Sequence, residues 1–335
     1  YLFSTGLVSI TASSINLLDN RVNTDACVST ESSNGNGGAG ICALSLGTEL
    51  KAQLNGVNAT NNMVTTRSNS AGEGNYNGGG GVYFNSKGLM TLMASSIALR
   101  DNMVNGDWCS STEGNNQNGG GGIYALSNGV SLMAQLNGVD ATNNTVTSQR
   151  TSSTGSNANG GGGVYMFANG LLNLTGSSIT LRDNLVNSDS CVATRLVNAN
   201  GGAGIYAFAF GFMQATLSTV DATKNMISTR NNSAGSVNSN GGSALYLLCN
   251  GPLLLNVTDA VLSYNDFAGT QSTGSVNANG GAGMYSNAFD VSALLSNVTG
   301  CNNQVDVIAN SADKDNQNGG GAFYFLSNGG GVILG

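Results

Sequence analysis

Asn118-Gly-Gly-Gly-Gly-Ile-Tyr-Ala-Leu-Ser127 is the stretch that decides the fold, because it does not occur once. Asn-Gly-Gly returns at Asn36, Asn77, Asn118, Asn159, Asn200, Asn240, Asn279 and Asn318, in steps of 41, 41, 41, 41, 40, 39 and 39 residues. Each copy runs into a short β-rich segment such as Val82-Tyr83-Phe84 or Ile205-Tyr206-Ala207. A Gly-containing turn follows, then an alternating strand, then Ser-Ser-Ile-Ala-Leu-Arg-Asp-Asn or a variant, and 11 to 13 polar residues close the unit. The apolar period is two, which excludes helical repeats of similar length. A fixed period of this size marks a solenoid whose units bury their faces only by stacking.

Read column by column, the apolar positions show a second period. Ile10, Ala52, Leu92, Ala134, Leu174, Ala215, Leu255 and Ala293 alternate large and small. So do Leu17, Ala59, Leu99, Ala141, Leu181, Ala222, Leu262 and Gly300, while the column from Ala12 and Leu54 runs in the opposite phase. A further column is read as Phe3, Ala43, Phe84, Ala125, Met166, Ala207, Leu247, Ser286 and Phe325. Strands stacked about 4.8 Å apart leave no room for the same bulky side chain in every rung. Alternation lets each large residue spread over its small neighbours at native density. The expected fold is therefore all-β: a right-handed parallel β-helix of about eight rungs of ~41 residues, with three short strands and one long loop per rung. Residues 1–335 are expected to form one such domain, a rod roughly 40 Å long.

Two asparagine columns accompany the core. One is the Asn-Gly-Gly asparagine; the other ends the third strand, at Asn20, Asn62, Asn102, Asn144, Asn184, Asn225, Asn265 and Asn303. Stacked on themselves, such side chains form amide ladders along the axis. The Gly-Gly pair permits positive φ and close approach of backbone.

The pairing of Gly-Gly-Ala/Gly-Ile/Val-Tyr with a following Leu-x-x-Asn resembles the GGA[ILV] and FxxN repeats of polymorphic outer membrane proteins, and more broadly is similar to pectin-lyase-like β-helices. The resemblance spans essentially the whole chain and implies the architecture. Enzymes of the wider group carry clustered carboxylates on an outer face, often with calcium.

No such cluster is evident here. Asp19, Asp101 and Asp183 recur every second rung, about 9.6 Å apart, and Asp140, Asp221 and Asp259 lie one strand position away. With Arg100 and Arg182 beside them, they are expected to form exposed pairs at turns. The chain has no histidine, which removes His-based catalysis. Glycine runs precede strands rather than helices, so no phosphate loop is indicated. No catalytic residue, cofactor or metal is expected.

Tyr83, Tyr124, Tyr165, Tyr206, Tyr246, Tyr285 and Tyr324 form a column that alternation turns away from the core. It reads either as a ladder stiffening the sheet beneath the long loops or as an outer stacking platform for sugars or a neighbouring protofilament. Cys27, Cys109 and Cys191 recur every 82 residues, too far apart to bridge each other, and Cys27 is placed to bridge Cys42.

The 335 residues include 50 glycines and one proline; 9% are charged, 40% apolar, and the net charge is −7. Enough apolar surface exists for a core, and the acidity argues against nucleic acid. No run of about 18 apolar residues appears, so no membrane insertion is expected. The start at Tyr1 suggests a processed or partial chain. Sequons at Asn58, Asn143, Asn173, Asn231, Asn256 and Asn297 are candidate glycosylation sites. The uncapped first and last rungs are expected to stack on further copies. The functional expectation is an extracellular structural protein of a glycosylated surface filament. The alternative is a surface adhesin gripping glycans or a partner through its outer face and loops. Ice binding and polysaccharide cleavage fit less well, since the outer face is uneven and the carboxylates are dispersed.

Overall fold

The structure, a computed structural model, describes residues 1–29, 34–72, 74–112, 114–194, 198–270, 273–308 and 311–335. Among these every regular element is a strand, and every strand pairing is parallel. The third rung shows the plan. It contains β1 (Val82–Ser86), β2 (Leu89–Arg100), β3 (Met103–Asp107), β4 (Ser110–Ser111) and β5 (Asn116–Gly119). The same labels are used for the equivalent strands of other rungs. Each stacks on its own kind, giving a nine-stranded sheet of β1, an eight-stranded sheet of β3, and extended sheets of β2 and of β4 with β5.

The rung is richer than three strands and a loop. In rungs one and two the second and third strands expected from the sequence are separate (Val8–Ser13 and Asn16–Leu18, Glu49–Asn55 and Asn58–Thr60). In rungs three to five they are one twelve-residue strand, β2, bent in rungs three and four at a left-handed residue, Ser96 (φ 52°) or its counterpart Gly138 (φ 63°). Much of the polar segment expected to be a loop forms β3, β4 and β5. It lacks apolar alternation, yet its register is regular, with Asn75 opposite Asn116 and Asn77 opposite Asn118. Corners are made by single residues in the left-handed region: Asp101 after β2, Trp108 after β3 and Gly120 after β5. Left-handed Asn and Asp are well tolerated, but Trp108 and Arg150 hold this geometry only because the flanking strands impose it.

Burial patterns give the layers. β2 and β3 alternate buried and accessible residues, so each has a solvent face. β1 and β5 are buried on both faces throughout the middle rungs. Between β1 and β2 lies the main apolar core, including Phe84, Leu92, Leu99 and Leu136. On the other side of β1 the tyrosines pack against Ala158 and Ala199 of β5. Val104, Val146 and Val186 of β3 form a third cluster with Ala203 and Ala282. The chain thus winds inward, wrapping β3 and β4 around a β5 that is buried in the middle rungs and accessible in the first, where Gly35 is exposed.

The large–small alternation is observed in register, with Ile10 on Ala52, Leu92 on Ala134 and Leu99 on Ala141. The first rung corrects one assignment: Leu2, not Phe3, stacks on Ala43, and Phe3 stacks on Leu44. The cause is turn length. Counted between register-matched residues, the β1–β2 connection holds three residues in rungs one, three and five (5–7, 87–89, 169–171), four in rungs two and four (46–49, 128–131), and three in both rungs six and seven (210–212, 250–252). The two-rung period therefore extends to the backbone of the first five rungs.

Candidate functional site

Four axial columns dominate the interior, and they are where the chemistry of this chain is concentrated. The first stands at the corner between β2 and β3. The side-chain amide of each asparagine from Asn20 to Asn265 donates to Oδ1 of the next, through Asn62, Asn102, Asn144, Asn184, Asn225 and Asn303, at 2.8–3.1 Å. The second amide hydrogen goes to a main-chain carbonyl of the preceding rung; Asn144 donates to Leu99 O at 2.8 Å. The same Oδ1 also accepts a main-chain N–H, as Asn144 Oδ1 does from Asn102 N at 3.1 Å. Asn102, Asn144 and Asn225 have no solvent exposure. A buried amide is costly unless both donors and the acceptor are matched, and here all are matched within the column.

The Asn-Gly-Gly asparagines form a second ladder from Asn36 through Asn77, Asn118, Asn159, Asn200 and Asn240 to Asn279, at 2.8–3.1 Å. The Asn318 side chain lies outside the described residues. A third ladder was not foreseen. Asn34, Asn75 and Asn116 bond in series, as do Asn157, Asn198, Asn238 and Asn277, at 2.9–3.3 Å. These asparagines also fasten β5 to β4: Asn116 Nδ2 donates to Ser152 O at 2.6 Å. The signal was available, because the repeat reads Asn-x-Asn-Gly-Gly and residues i and i+2 of a strand share one face.

The fourth column is the tyrosine stack. From Tyr83 to Tyr324 neighbouring rings lie 4.8–5.2 Å apart and within 15° of parallel. The rings do point away from the main core, but toward β5 rather than solvent, and Tyr124 to Tyr285 are fully buried. An outer sugar platform is therefore unavailable to them. Tyr124 Oη donates to Gln117 Oε1 at 3.1 Å and Tyr246 Oη to Ser239 O at 3.2 Å. The hydroxyls of Tyr165 and Tyr206 are buried without a partner among the described residues. Burial pushes these phenols well above the usual range, so they remain neutral.

The two glycines after each asparagine have different tasks. At Gly119, the last residue of β5 in rung three, a Cβ would stand 2.2 Å from Cδ2 of Tyr165 in rung five and 2.4 Å from Gly160 O. Each ring thus lies over the bare Cα of a β5 that ends the second rung before it. Gly120 instead has φ of 61° and makes the corner into β1.

All six cysteines are free thiols, against the bridge expected between Cys27 and Cys42. Cys42 occupies the tyrosine column, opposite Tyr83 on β1. Cys27 stands at the β3–β4 corner, where its main-chain N–H donates to Asn69 Oδ1 at 3.1 Å. The chain winding inward through β5 separates the two columns. Burial raises the Cys191 thiol to about 11, and the Cys109 thiol is raised for the same reason.

The sequons are all accessible to some degree. Asn143, Asn231 and Asn297 are exposed, each in a left-handed turn, and each amide is bonded to a carboxylate, Asp101, Asp189 or Asp259. Asn58, Asn173 and Asn256 are half-buried on the outer face of β2. Arg100 pairs with Asp140 and Arg182 with Asp221, each across one rung on that face. Burial opposes ionisation of Asp140, but the Thr142 hydroxyl and Arg100 outweigh it and hold the carboxyl low. Arg150 pairs with Asp107 at 2.7 Å and lies 4.4 Å from the ring centre of Trp108, an exposed side chain. Among the described residues no three His, Cys, Asp or Glu side chains are grouped to hold a metal ion.

No protein-family model, curated protein or solved structure matches the chain.

Proposed function

We propose that this chain is a structural building block of an extracellular, glycosylated surface filament, extended by copies stacked head to tail. The observation that carries the reading is the continuity of the asparagine ladders and the tyrosine stack. Each is a one-dimensional device: every rung presents above what it accepts below, so a further rung adds bonds without a new surface. Leu2, Phe3, Ile333 and Leu334, in the outermost strands described, are about half exposed or more, and further strands stacked on them would cover them. The accessible sequons fit a glycan coat on the flanks while the stacking faces stay clear. The short-motif resemblance to polymorphic outer membrane protein repeats supports a surface-exposed solenoid.

Electron microscopy of material purified from its source, with intact mass before and after deglycosylation, tests the reading. Continuous fibres with a rung repeat of about 4.8 Å and a mass loss are expected. Separate short rods with an unchanged mass would defeat it. The second reading, an adhesin, draws on the exposed Trp108 beside Arg150 and Asp107, an aromatic face with a charged rim. Glycan-array binding abolished by Trp108→Ala, with no fibres, would favour it.

A further inference from the structure

Asparagine followed by glycine is the sequence most open to deamidation, because glycine has no side chain to hinder attack by its own nitrogen. This chain carries that pair both in its ladders and along the β1–β2 edge. We infer that the β1–β2 turns are a row of deamidation sites, led by Asn128 and Asn169, while the same dipeptide in the ladders is shielded. In the reaction the glycine main-chain nitrogen, having lost its proton, attacks Asn Cγ. A C–N bond forms and the side-chain nitrogen leaves as ammonia. Water then opens the cyclic imide at either carbonyl, giving aspartate or isoaspartate. Solvent water is the only co-reactant, and nothing is oxidised or reduced.

The structure separates the sites by two requirements: a free glycine N–H and a side chain able to turn onto it. Asn128-Gly129 and Asn169-Gly170 lie in turns outside the strands. Neither Gly129 nor Gly170 donates its N–H to a partner among the described residues. Asn169 is exposed with one amide contact, to Asn128 O at 3.1 Å, and Asn128 is half-buried with one amide contact at the 3.5 Å limit. Asn250-Gly251 and Asn328-Gly329 occupy the same turn in later rungs, but Gly251 and Gly329 donate to Gly211 O and Phe289 O. They meet only one requirement. Asn77, Asn118, Asn159 and Asn200 meet neither. Their amides are fixed in the second ladder, and the following glycines lie inside paired β5 strands. Reaction there requires local opening of the rung. An opening cost of about 2.7 kcal/mol already slows a site about a hundredfold.

Each event would place a new negative charge on a chain of net charge −7. The edge that ages is the one carrying the exposed Val130, Leu171 and Phe210. The test is a time course of the intact folded protein in mildly alkaline buffer, read by peptide mapping and enzymatic isoaspartate labelling. The denatured chain is followed in parallel to give each site's unprotected rate. Asn128 and Asn169 should react first and within about tenfold of their denatured rates, since they need little or no opening. Asn250 and Asn328 should follow, and the four ladder asparagines should lag their denatured rates by about a hundredfold or more. Asn128→Gln with Asn169→Gln should remove the early charge gain while leaving the circular dichroism unchanged. The inference fails if ladder and turn sites react alike in the folded protein. It fails equally if Asn128 and Asn169 stay intact while their denatured counterparts react.

Discussion

Removing one rung from the corner ladder should be far more damaging in the middle than at the end. Asn144 has no solvent exposure. Its amide donates to Leu99 O and to Asn184 Oδ1, and its Oδ1 accepts from Asn102 N and Asn102 Nδ2, all at 2.8–3.1 Å. Asn144→Ala strands three groups at once: the Leu99 carbonyl, the Asn102 main-chain N–H and one hydrogen of the Asn102 amide. Asn184 Oδ1 keeps the main-chain N–H of residue 144. A buried group left unpaired costs about 1–3 kcal/mol. With partial relaxation the total is about 3–6 kcal/mol. Asn20 provides the contrast. It is half-buried, and its side chain makes a single ladder bond, to Asn62 Oδ1 at 2.8 Å. Asn20→Ala should cost about 0.5–1.5 kcal/mol.

Asn144→Asp sharpens the test. The carboxylate can accept from Asn102 but faces Leu99 O and Asn184 Oδ1 with no hydrogen to give. Burial and these two oxygens favour the protonated acid in the folded state, raising its pKa above the unfolded value. The variant's stability is therefore fullest at low pH and is lost as pH rises through the folded pKa. Relative to Asn144→Ala, it should be worse at neutral pH and should recover on acidification. Because stacked repeats can lose two-state behaviour, denaturant melts should be paired with amide hydrogen exchange at residues 102 and 184. Equal costs for Asn144→Ala and Asn20→Ala, or no pH dependence in the difference between Asn144→Asp and Asn144→Ala, would refute the ladder as a cohesive element.

Three further outcomes follow from the same geometry. Tyr206→Phe removes a buried hydroxyl without a partner and should leave stability unchanged or raise it by about 1 kcal/mol, whereas Tyr124→Phe loses the bond to Gln117 and should cost about 1 kcal/mol; calorimetric melts of the pair read the difference. Gly119→Ala should cost about 3 kcal/mol, since its Cβ meets Tyr165 and Gly160 O, whereas Gly56→Ala meets nothing closer than 3.6 Å and carries only the φ penalty of about 1 kcal/mol. A thiol reagent at neutral pH should modify the exposed Cys301 and half-buried Cys27 first. Cys191 and Cys249, buried and raised to about 11 and about 12, hold almost no thiolate and should react only on unfolding.

The readable part of the sequence was the part with two-residue apolar alternation. Leu92 over Ala134 and Leu99 over Ala141 could be placed by inspection because apolar transfer and rung spacing leave one arrangement. The same rule failed for β5. Asn116-Gln117-Asn118-Gly119 has the composition of a turn, and its burial stems from ladders formed with other rungs, a cooperative property invisible in any single copy. Missing β5 also left the tyrosines one layer short of cover. Alternation correctly turned Tyr124 away from Phe84 and Leu92, but only the inward winding shows what lies on the far side. The pairing of Cys27 with Cys42 went astray for the same reason: chain proximity in the repeat was read as proximity in a cross-section whose layers had not been counted.

An interior this rich in amides also bears on why the rod keeps its register. A shift of two residues along β2 keeps the same face inward but would stack Leu92 on Leu136 instead of Ala134, against the large–small alternation. At the β2–β3 corner a shifted rung would also leave buried amides without their ladder partners. The apolar core between β1 and β2 and the corner ladder therefore both discriminate against misaligned rungs. A solenoid extended rung by rung is exposed to that error at every step. The cost of burying unmatched amides rises with each rung that joins out of register, whereas correct stacking matches the buried amides of the corner ladder, as at Asn102, Asn144 and Asn225.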